Sequence, residues 1–564
     1  MSWLDWLVLA ATLLLIIIFG IYRTRHQKNL DSYLLGNQSM PWYRVGFSVM
    51  ATQASAITFL SAPGQAFTDG MRFVQFYFGL PLAMIVICIF FLPVYHRLKV
   101  YTAYEYLEER FDLKTRSLTS LLFLTQRGLA AGLTIYAPSI VLSSLLGWNI
   151  YLTNIIMGGL VISYTMSGGT KAVAITQLQQ LAVIFIGMSI AGFMAVKLLP
   201  DGIGFTDALM VAGKMGKTNV ITTDFSWNDR YNIWSGLIGG FFLALSYFGT
   251  DQSQVGRYLS GRSVAQSRTG LLMNAILKIP MQFLILMIGA LIFTFYQFNP
   301  SPVFFNDKQV EKVMASPQAI EFTVIDNLHD KLSIEKRKNA MAMVDGLKNG
   351  NENQVSQSQA ALQKVNEQAN ELRVRAISVI KEASPAADTN DINYIFLTFV
   401  LHYLPHGLIG LLIAVVFCAA WNSTTAELNS LASTTVVDIY KRSVRSGESE
   451  NHYVTASRLA TLGWGIFAIG VAELVNKLGS LIEAVNILGS LFYGTILGVF
   501  LTAFFLKKVK GNSVFIAAII AEVMVIILFV SDVVAFLWLN MIGSALVMIL
   551  SLSFHYFAER SVAK

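Results

Sequence analysis

Apolar residues gather into runs near 20 residues long, separated by short charged or turn-forming stretches. That is the length a helix rising ~1.5 Å per residue needs to cross ~30 Å of hydrocarbon. The runs predict spans near 5–22, 43–67, 74–95, 117–146, 150–167, 176–197, 232–256, 269–296, 406–427, 455–475, 481–506, 514–531 and 533–556, thirteen in all. A closed barrel would instead show alternating segments of about 10 residues. The expected class is an all-α polytopic membrane protein. Composition agrees: of 564 residues, 54% are hydrophobic and 13% charged, where soluble domains carry about 25% charged residues.

Charge orients the spans. The net charge of +7 is spread over short loops rather than concentrated in a patch, so it reads as a topology signal and not as a nucleic-acid surface. Alternate loops hold Arg23/Arg25/Lys28, Arg97/Lys99/Arg110/Lys114/Arg116, Lys171, Arg257/Arg262/Arg268, Lys441/Arg442/Arg445 and Lys507/Lys508/Lys510, while Lys477 is the only basic residue of the short opposite loops. The expected topology puts the N-terminus outside and the C-terminus in the cytoplasm. Met1 to Trp6 carry Asp5 and no basic residue, the reverse of a cleavable signal peptide, so the first run counts as a span. Cys88 and Cys418 lie inside apolar runs and read as packing residues.

Residues 306–388 depart from the pattern. They are rich in Lys, Glu, Gln, Asn and Ala, too polar for lipid, and fall on the outer side. Two helical patterns meet at Gly350 and Asn351, which predicts an extracytoplasmic helical hairpin, either a surface insertion dispensable for transport or a docking site for a partner.

Two spans contain polar interruptions at bilayer depth. The second holds Ser48-Val49-Met50-Ala51-Thr52-Gln53-Ala54-Ser55-Ala56, and the seventh holds Ser246-Tyr247-Phe248-Gly249-Thr250-Asp251-Gln252-Ser253-Gln254. Small residues at such places can simply permit close helix packing. Asp251 favours the alternative, since an ionisable group at depth points to function, and free backbone groups survive there only along a cavity or ion site. Two broken helices five apart in order are the arrangement of an inverted five-helix repeat around a central site. The ninth span adds side-chain oxygens in Cys418-Ala419-Ala420-Trp421-Asn422-Ser423-Thr424-Thr425-Ala426-Glu427, and hard cations are held by oxygens.

At these residues the chain resembles the sodium/solute symporter family. The likeness runs through Ser39-Met40-Pro41-Trp42, Tyr101-Thr102-Ala103-Tyr104-Glu105-Tyr106-Leu107, Ser167-Gly168-Gly169-Thr170-Lys171-Ala172, Gly249-Thr250-Asp251-Gln252 with Arg257, and Leu428-Asn429-Ser430 with Asp438-Ile439-Tyr440. It implies a LeuT-type core: a first span and loop at 1–42, a first repeat at 43–197, a second at 232–506 interrupted by the 306–388 hairpin, and two further spans within 507–564. It also implies sodium-coupled import of a small polar solute by alternating access. The family's sodium site falls on Ala51, Ala54, Ala419, Asn422 and Ser423, with Asn422 where a serine or threonine is usual. The second sodium of some members needs an aspartate where this chain has Gln177 and a hydroxyl where it has Ala426, which leaves Thr425 and an expected ratio of one sodium per solute.

The substrate candidates are Gln53, Thr58, Tyr77, Arg127, Asp251, Gln252, Lys278 and Asn486. Lys278 resembles a lysine of sugar-carrying members, but Thr58 and Tyr77 replace their sugar-binding glutamine and glutamate. Lys278 can equally be a structural partner of Asp251, because buried charges persist mainly as pairs. Arg127 either snorkels to the interface or takes a carboxylate bidentately. A sugar or sugar acid is therefore favoured, with a monocarboxylate or other small anion as the alternative and a membrane solute sensor as the reading from another class. His402 and His406 have metal-ligand spacing but are separated by Pro405, and there is no phosphate loop or catalytic set, so an enzyme is not expected. The expected location is the plasma membrane, the inner membrane of a bacterium.

Overall fold

A computed structural model describes residues 1–24, 38–385, 387–475 and 479–562. Of the loop charges named above, Arg25, Lys28 and Lys477 lie outside the described residues, as do the side chains of Arg23 and of Ser167–Ala172. The described chain is almost wholly helical. In chain order the principal helices are α1 (Trp3–Thr24), α2 (Trp42–Gln53), α3 (Ala56–Asp69), α4 (Leu113–Leu146), α5 (Ile150–Lys197), α6 (Gly240–Thr250), α7 (Gln252–Leu259), α8 (Val264–Phe298), α9 (Ala319–Lys348), α10 (Glu352–Ala383), α11 (Ile392–Tyr403), α12 (Leu408–Thr434), α13 (Glu450–Ala472), α14 (Leu481–Phe505), α15 (Gly511–Val530) and α16 (Phe536–Val562).

Each predicted span falls on helix. The predicted pair 150–167 and 176–197 lies within one continuous 48-residue α5, so helix stands where a loop at Lys171 was expected. The second and seventh spans are each split in two, as α2/α3 and α6/α7. The twelve-residue α11 belongs to no predicted run. It is too short to cross a bilayer alone, which is why a search for runs near 20 residues passes over it.

Glycine sets the closest approaches in the bundle. A Cβ on Gly64 of α3 would lie 2.0 Å from the Ile392 carbonyl oxygen of α11, and one on Gly289 of α8 would lie 2.2 Å from that of Pro63. Without side chains at these positions α3 seats against both neighbours, the small-residue packing that replaces the hydrophobic effect inside a bilayer.

Helices α9 and α10 fold back on each other through a turn at Gly350 (φ 65°), and the Asn351 side chain caps α10 by accepting from Gln354 N at 3.1 Å. The hairpin lies against the core. Ala340, Met343, Val344, Val355 and Leu362 are part of the main hydrophobic cluster. Gln359 donates to Lys214 O at 2.7 Å, Asn366 donates to Gln297 at 3.0 Å, and Arg373 pairs with Asp391. Its polar composition suggests little apolar contact with the core, but the apolar residues sit along one face, so the docking is more intimate than composition implies.

Candidate functional site

The two helix breaks lie side by side with α12, and each exposes main-chain groups in a different way. At the first, Ser55 N–H bonds Gln53 O at 3.0 Å instead of Ala51 O, and Thr58 N–H bonds Ser55 O at 3.0 Å instead of Ala54 O. The carbonyls of Ala51 and Ala54 are thereby left without their i+4 donors. On facing α12, Ser423 Oγ donates to Ala419 O at 3.1 Å, and both side-chain polar atoms of buried Asn422 lack a hydrogen-bond partner. Neutral oxygens from a broken helix and an orphaned amide are the kind of ligand a singly charged hard cation takes.

Gln177 bears on the second sodium. Its Oε1 accepts from Ser48 Oγ at 2.7 Å and its Nε2 donates to Thr52 Oγ1 at 3.4 Å, while Thr165 Oγ1 donates to Thr425 Oγ1 at 3.3 Å. The amide at this place is engaged by α2 and brings no negative charge.

At the second break Asp251 takes extended backbone (φ −77°, ψ 120°). One carboxylate oxygen caps α7, accepting from Ser253 N at 2.8 Å and Ser253 Oγ at 2.6 Å. The other accepts from Arg127 Nη2 and from Tyr493 OH at 2.7 Å. The carbonyls released at the end of α6 are taken by tyrosines: Tyr95 OH donates to Gly249 O at 2.8 Å and Tyr104 OH to Thr250 O at 3.0 Å. Gln252 binds the same neighbourhood, donating to Tyr101 O at 2.7 Å and accepting from Ala103 N at 3.1 Å. Two of the sequence motifs thus meet at one joint.

Arg127 is the centre of the charge cluster. It is 4% exposed, far too buried to snorkel. Besides Asp251 it pairs with Glu427 of α12 at 3.2 Å, and its guanidinium carbon lies 5.4 Å from the centre of the Tyr247 ring. A cation between two carboxyl groups satisfies the need of buried charges for partners.

A cavity opens above this cluster between α2, α3, α4, α6, α12 and α14. Gln53, Thr58, Tyr77, Arg127, Asn486 and Ser423 all line it. Asp251, Gln252 and Lys278 do not: the first two support the joint, and Lys278 lies behind Tyr77, its Nζ 5.6 Å from the ring centre and without a hydrogen-bond partner. Pairing of Lys278 with Asp251 is therefore replaced by pairing of Arg127 with Asp251. Sequence reasoning missed Glu427, Tyr247 and Tyr493 as site residues. Glu427 carried a signal, an acid inside an apolar span, whereas membrane tyrosines are too common to stand out. The two histidines diverge, His402 to Asp307 at 3.4 Å and His406 to Asp5 at 3.2 Å.

Loss of the Ser423 hydroxyl tests the cation set. In Ser423→Ala the sodium concentration for half-maximal transport is expected to rise several-fold with thermal stability nearly unchanged, because alanine is a good helix former. An unaltered sodium dependence would remove Ser423 from the site.

The Sodium:solute symporter family model matches residues 33–328 and 376–521, leaving out much of the hairpin. The sodium/sialic acid symporter SiaT of Proteus mirabilis is 24% identical over 556 residues, covering 97% of this chain and 94% of the relative. The sodium-coupled monocarboxylate transporter 1 of Xenopus laevis is 25% identical over 512 residues, 88% of this chain and 67% of the relative. A solved sodium-coupled sialic acid symporter in a substrate-bound outward-open state superposes with a TM-score of 0.75 at 24% identity, covering 99% of this chain and 98% of that one, which shows a shared LeuT-type fold. The match to the family model spans most of the chain on both sides of the hairpin, and the protein is a member of the sodium:solute symporter family, a multi-pass membrane protein of sodium-coupled transport.

Proposed function

We propose that the chain imports a sugar acid with one sodium ion by alternating access, the solute carboxylate binding beside Arg127 and its hydroxyls meeting Gln53, Thr58, Tyr77 and Asn486. The observation that carries this reading is the guanidinium at the cavity wall. Among the described residues its Nε has no partner, and one of its pairs, to Glu427, is comparatively long at 3.2 Å. A carboxylate of the solute would compete with Glu427 for Nη1 while Asp251 and Tyr493 keep Nη2.

Electrostatics supplies the coupling. Two carboxyl groups already face Arg127, so an entering carboxylate meets acidic neighbours, and a cation arriving with it favours its binding. Ser423 and Glu427 lie one helical turn apart on the same face of α12, which puts the sodium set next to the solute cavity. The ion bound there offsets the solute charge, and the bound sodium and solute each raise the affinity for the other, as linkage requires. Gln177 supports a single sodium, because it supplies a dipole and no charge at the second site.

The orientation has the hairpin outside. The opposite end collects the basic residues, with Arg110 bonding the carbonyls of Ala503, Leu506 and Lys507 and Arg442 pairing with Glu108, as expected of a cytoplasmic face. On this reading 43–197 and 232–506 are the two repeats, 1–42 and 507–564 flank them, and the chain sits in the plasma membrane with its N-terminus outside.

Uptake by reconstituted vesicles tests the proposal. Labelled sialic acid is expected to accumulate under an inward sodium gradient, with lactate carried less well and glucose and proline not at all. Sodium-driven uptake confined to a neutral solute would overturn it.

A further inference from the structure

We propose that the hairpin and the core together form a second anion site, a peripheral pocket in which Lys336 and Lys217 receive the carboxylate of a small organic acid on its way to the central cavity. The pocket lies between α9, α10 and the hairpin ends of α3 and α8, and its polar lining includes Thr68, Lys217, Gln297, Lys336, Asn366 and Arg373. The proposal rests on a carboxylate as the transported solute, and goes beyond that reading in giving the hairpin a role.

The arrangement is not that of a merely structural contact. His329 and Lys336 are two turns apart on α9, and Asn366, Asn370 and Arg373 recur at helical spacing on α10, so both helices turn a polar stripe toward the core. Beside it the same hairpin packs with Ala340, Met343 and Leu362. Lys336 is 6% exposed and, among the described residues, makes no ion pair or hydrogen bond. His329 is 4% exposed with Nδ1 unpartnered. Lys217 donates to Thr68 O and lies 4.8 Å from the centre of the Phe293 ring, with Asp69 as its nearest acidic influence. Among the described residues, only Arg373 of these cations has a full counter-ion, in Asp391. Two ammonium groups thus share a pocket with less negative charge than they need. Burial pushes both lysines down to about 8, helped at Lys336 by Arg373 and opposed at Lys217 by Asp69; a bound anion would relieve that cost. The pocket also reaches Phe67 and Thr68 at one end of α3, whose other end lines the central cavity with Ile57 and Thr58. The two sites are therefore about 15 Å apart along a single helix.

The test uses the full chain in lipid nanodiscs without sodium, so that the central site is not loaded. Backbone hydrogen exchange over 322–340 and 362–376 is followed with sialic acid, lactate or chloride at equal ionic strength. Sialic acid and lactate are expected to slow exchange several-fold, chloride far less, and the effect should vanish in Lys336→Gln. It should vanish too in Asn370→Asp, an exposed position where a new carboxylate repels the anion without disturbing packing. Both variants should keep sodium-driven uptake at saturating solute with a raised KM. No protection in the parent protein, equal protection by chloride, or protection that survives in Lys336→Gln would each overturn the site. Hairpin protection in a protein that transports no carboxylate would leave an anion pocket but overturn its place on the path to the central cavity, and sink the central-site reading with it.

Discussion

Arg127→Gln is expected to abolish solute uptake and to lower stability by about 3–5 kcal/mol, the usual cost of removing one member of a buried charge set. The substitution leaves Asp251 and Glu427, 1% and 6% exposed, without their shared cation. Lysine is no substitute. Its single ammonium cannot reach Glu427 on one side and Asp251 with Tyr493 on the other as the planar fork does. Adding Asp251→Asn and Glu427→Gln to Arg127→Gln should return much of the lost stability, because no unpaired charge remains, but none of the uptake. Thermal unfolding and vesicle uptake on the same preparations separate the two effects. A single Arg127→Gln variant that transports normally would show that the guanidinium neither binds solute nor holds the joint.

The second large effect is expected at the opposite end of the bundle. Asp438, with no exposed surface, accepts from Arg116 Nη2 at 2.6 Å, Arg116 Nε at 2.8 Å and Thr102 Oγ1 at 2.7 Å. Arg116 also pairs with Glu108 at 2.8 Å, and Glu108 with Arg442. This network ties the start of α4 to the chain just beyond α12, and the expectation is that it keeps that end closed. In Arg116→Ala the stranded carboxylate regains water only if the end opens, so a penalty of several kcal/mol becomes a bias toward the open form. Moving a two-state equilibrium from 1:99 to 99:1 takes about 5.5 kcal/mol, so a substantial population shift is expected. A cysteine placed at Ser430, in the small cavity at this end, should be labelled by an impermeant thiol reagent at least tenfold faster in Arg116→Ala, while buried Cys88 and Cys418 remain silent. Equal labelling rates would mean that the network does not control the opening.

Much of the fold could be read from the sequence because bilayer crossing imposes one length and one composition on every span. The breaks were legible too: the polar runs at Ser48–Ala56 and Ser246–Gln254 contain the interruptions now found at Ala54–Ser55 and Asp251. The partners of Arg127 were not, since Glu427 and Tyr493 lie 300 and 366 positions away and no local pattern predicts which helices meet at that distance. Lys278 illustrates the same limit. Its depth called for a counter-ion, and only the packing shows it facing the Tyr77 ring. The hairpin's intimacy with the core depended on which faces of α9 and α10 turn inward, and that is set by packing against α8 and the helix ending at Lys214.

Gln177, bonded to Ser48 and Thr52, has a consequence for the energy source. On the proposed reading, one sodium moving with one carboxylate carries no net charge across the membrane. A membrane voltage is worth about 2.3 kcal/mol per charge for each 100 mV, and a carrier of this kind gains none of it. The steepest solute ratio it can sustain is then the sodium ratio itself. Uptake that is indifferent to an imposed potassium diffusion potential is the expected signature of the proposed ratio, and uptake driven by that potential would overturn it.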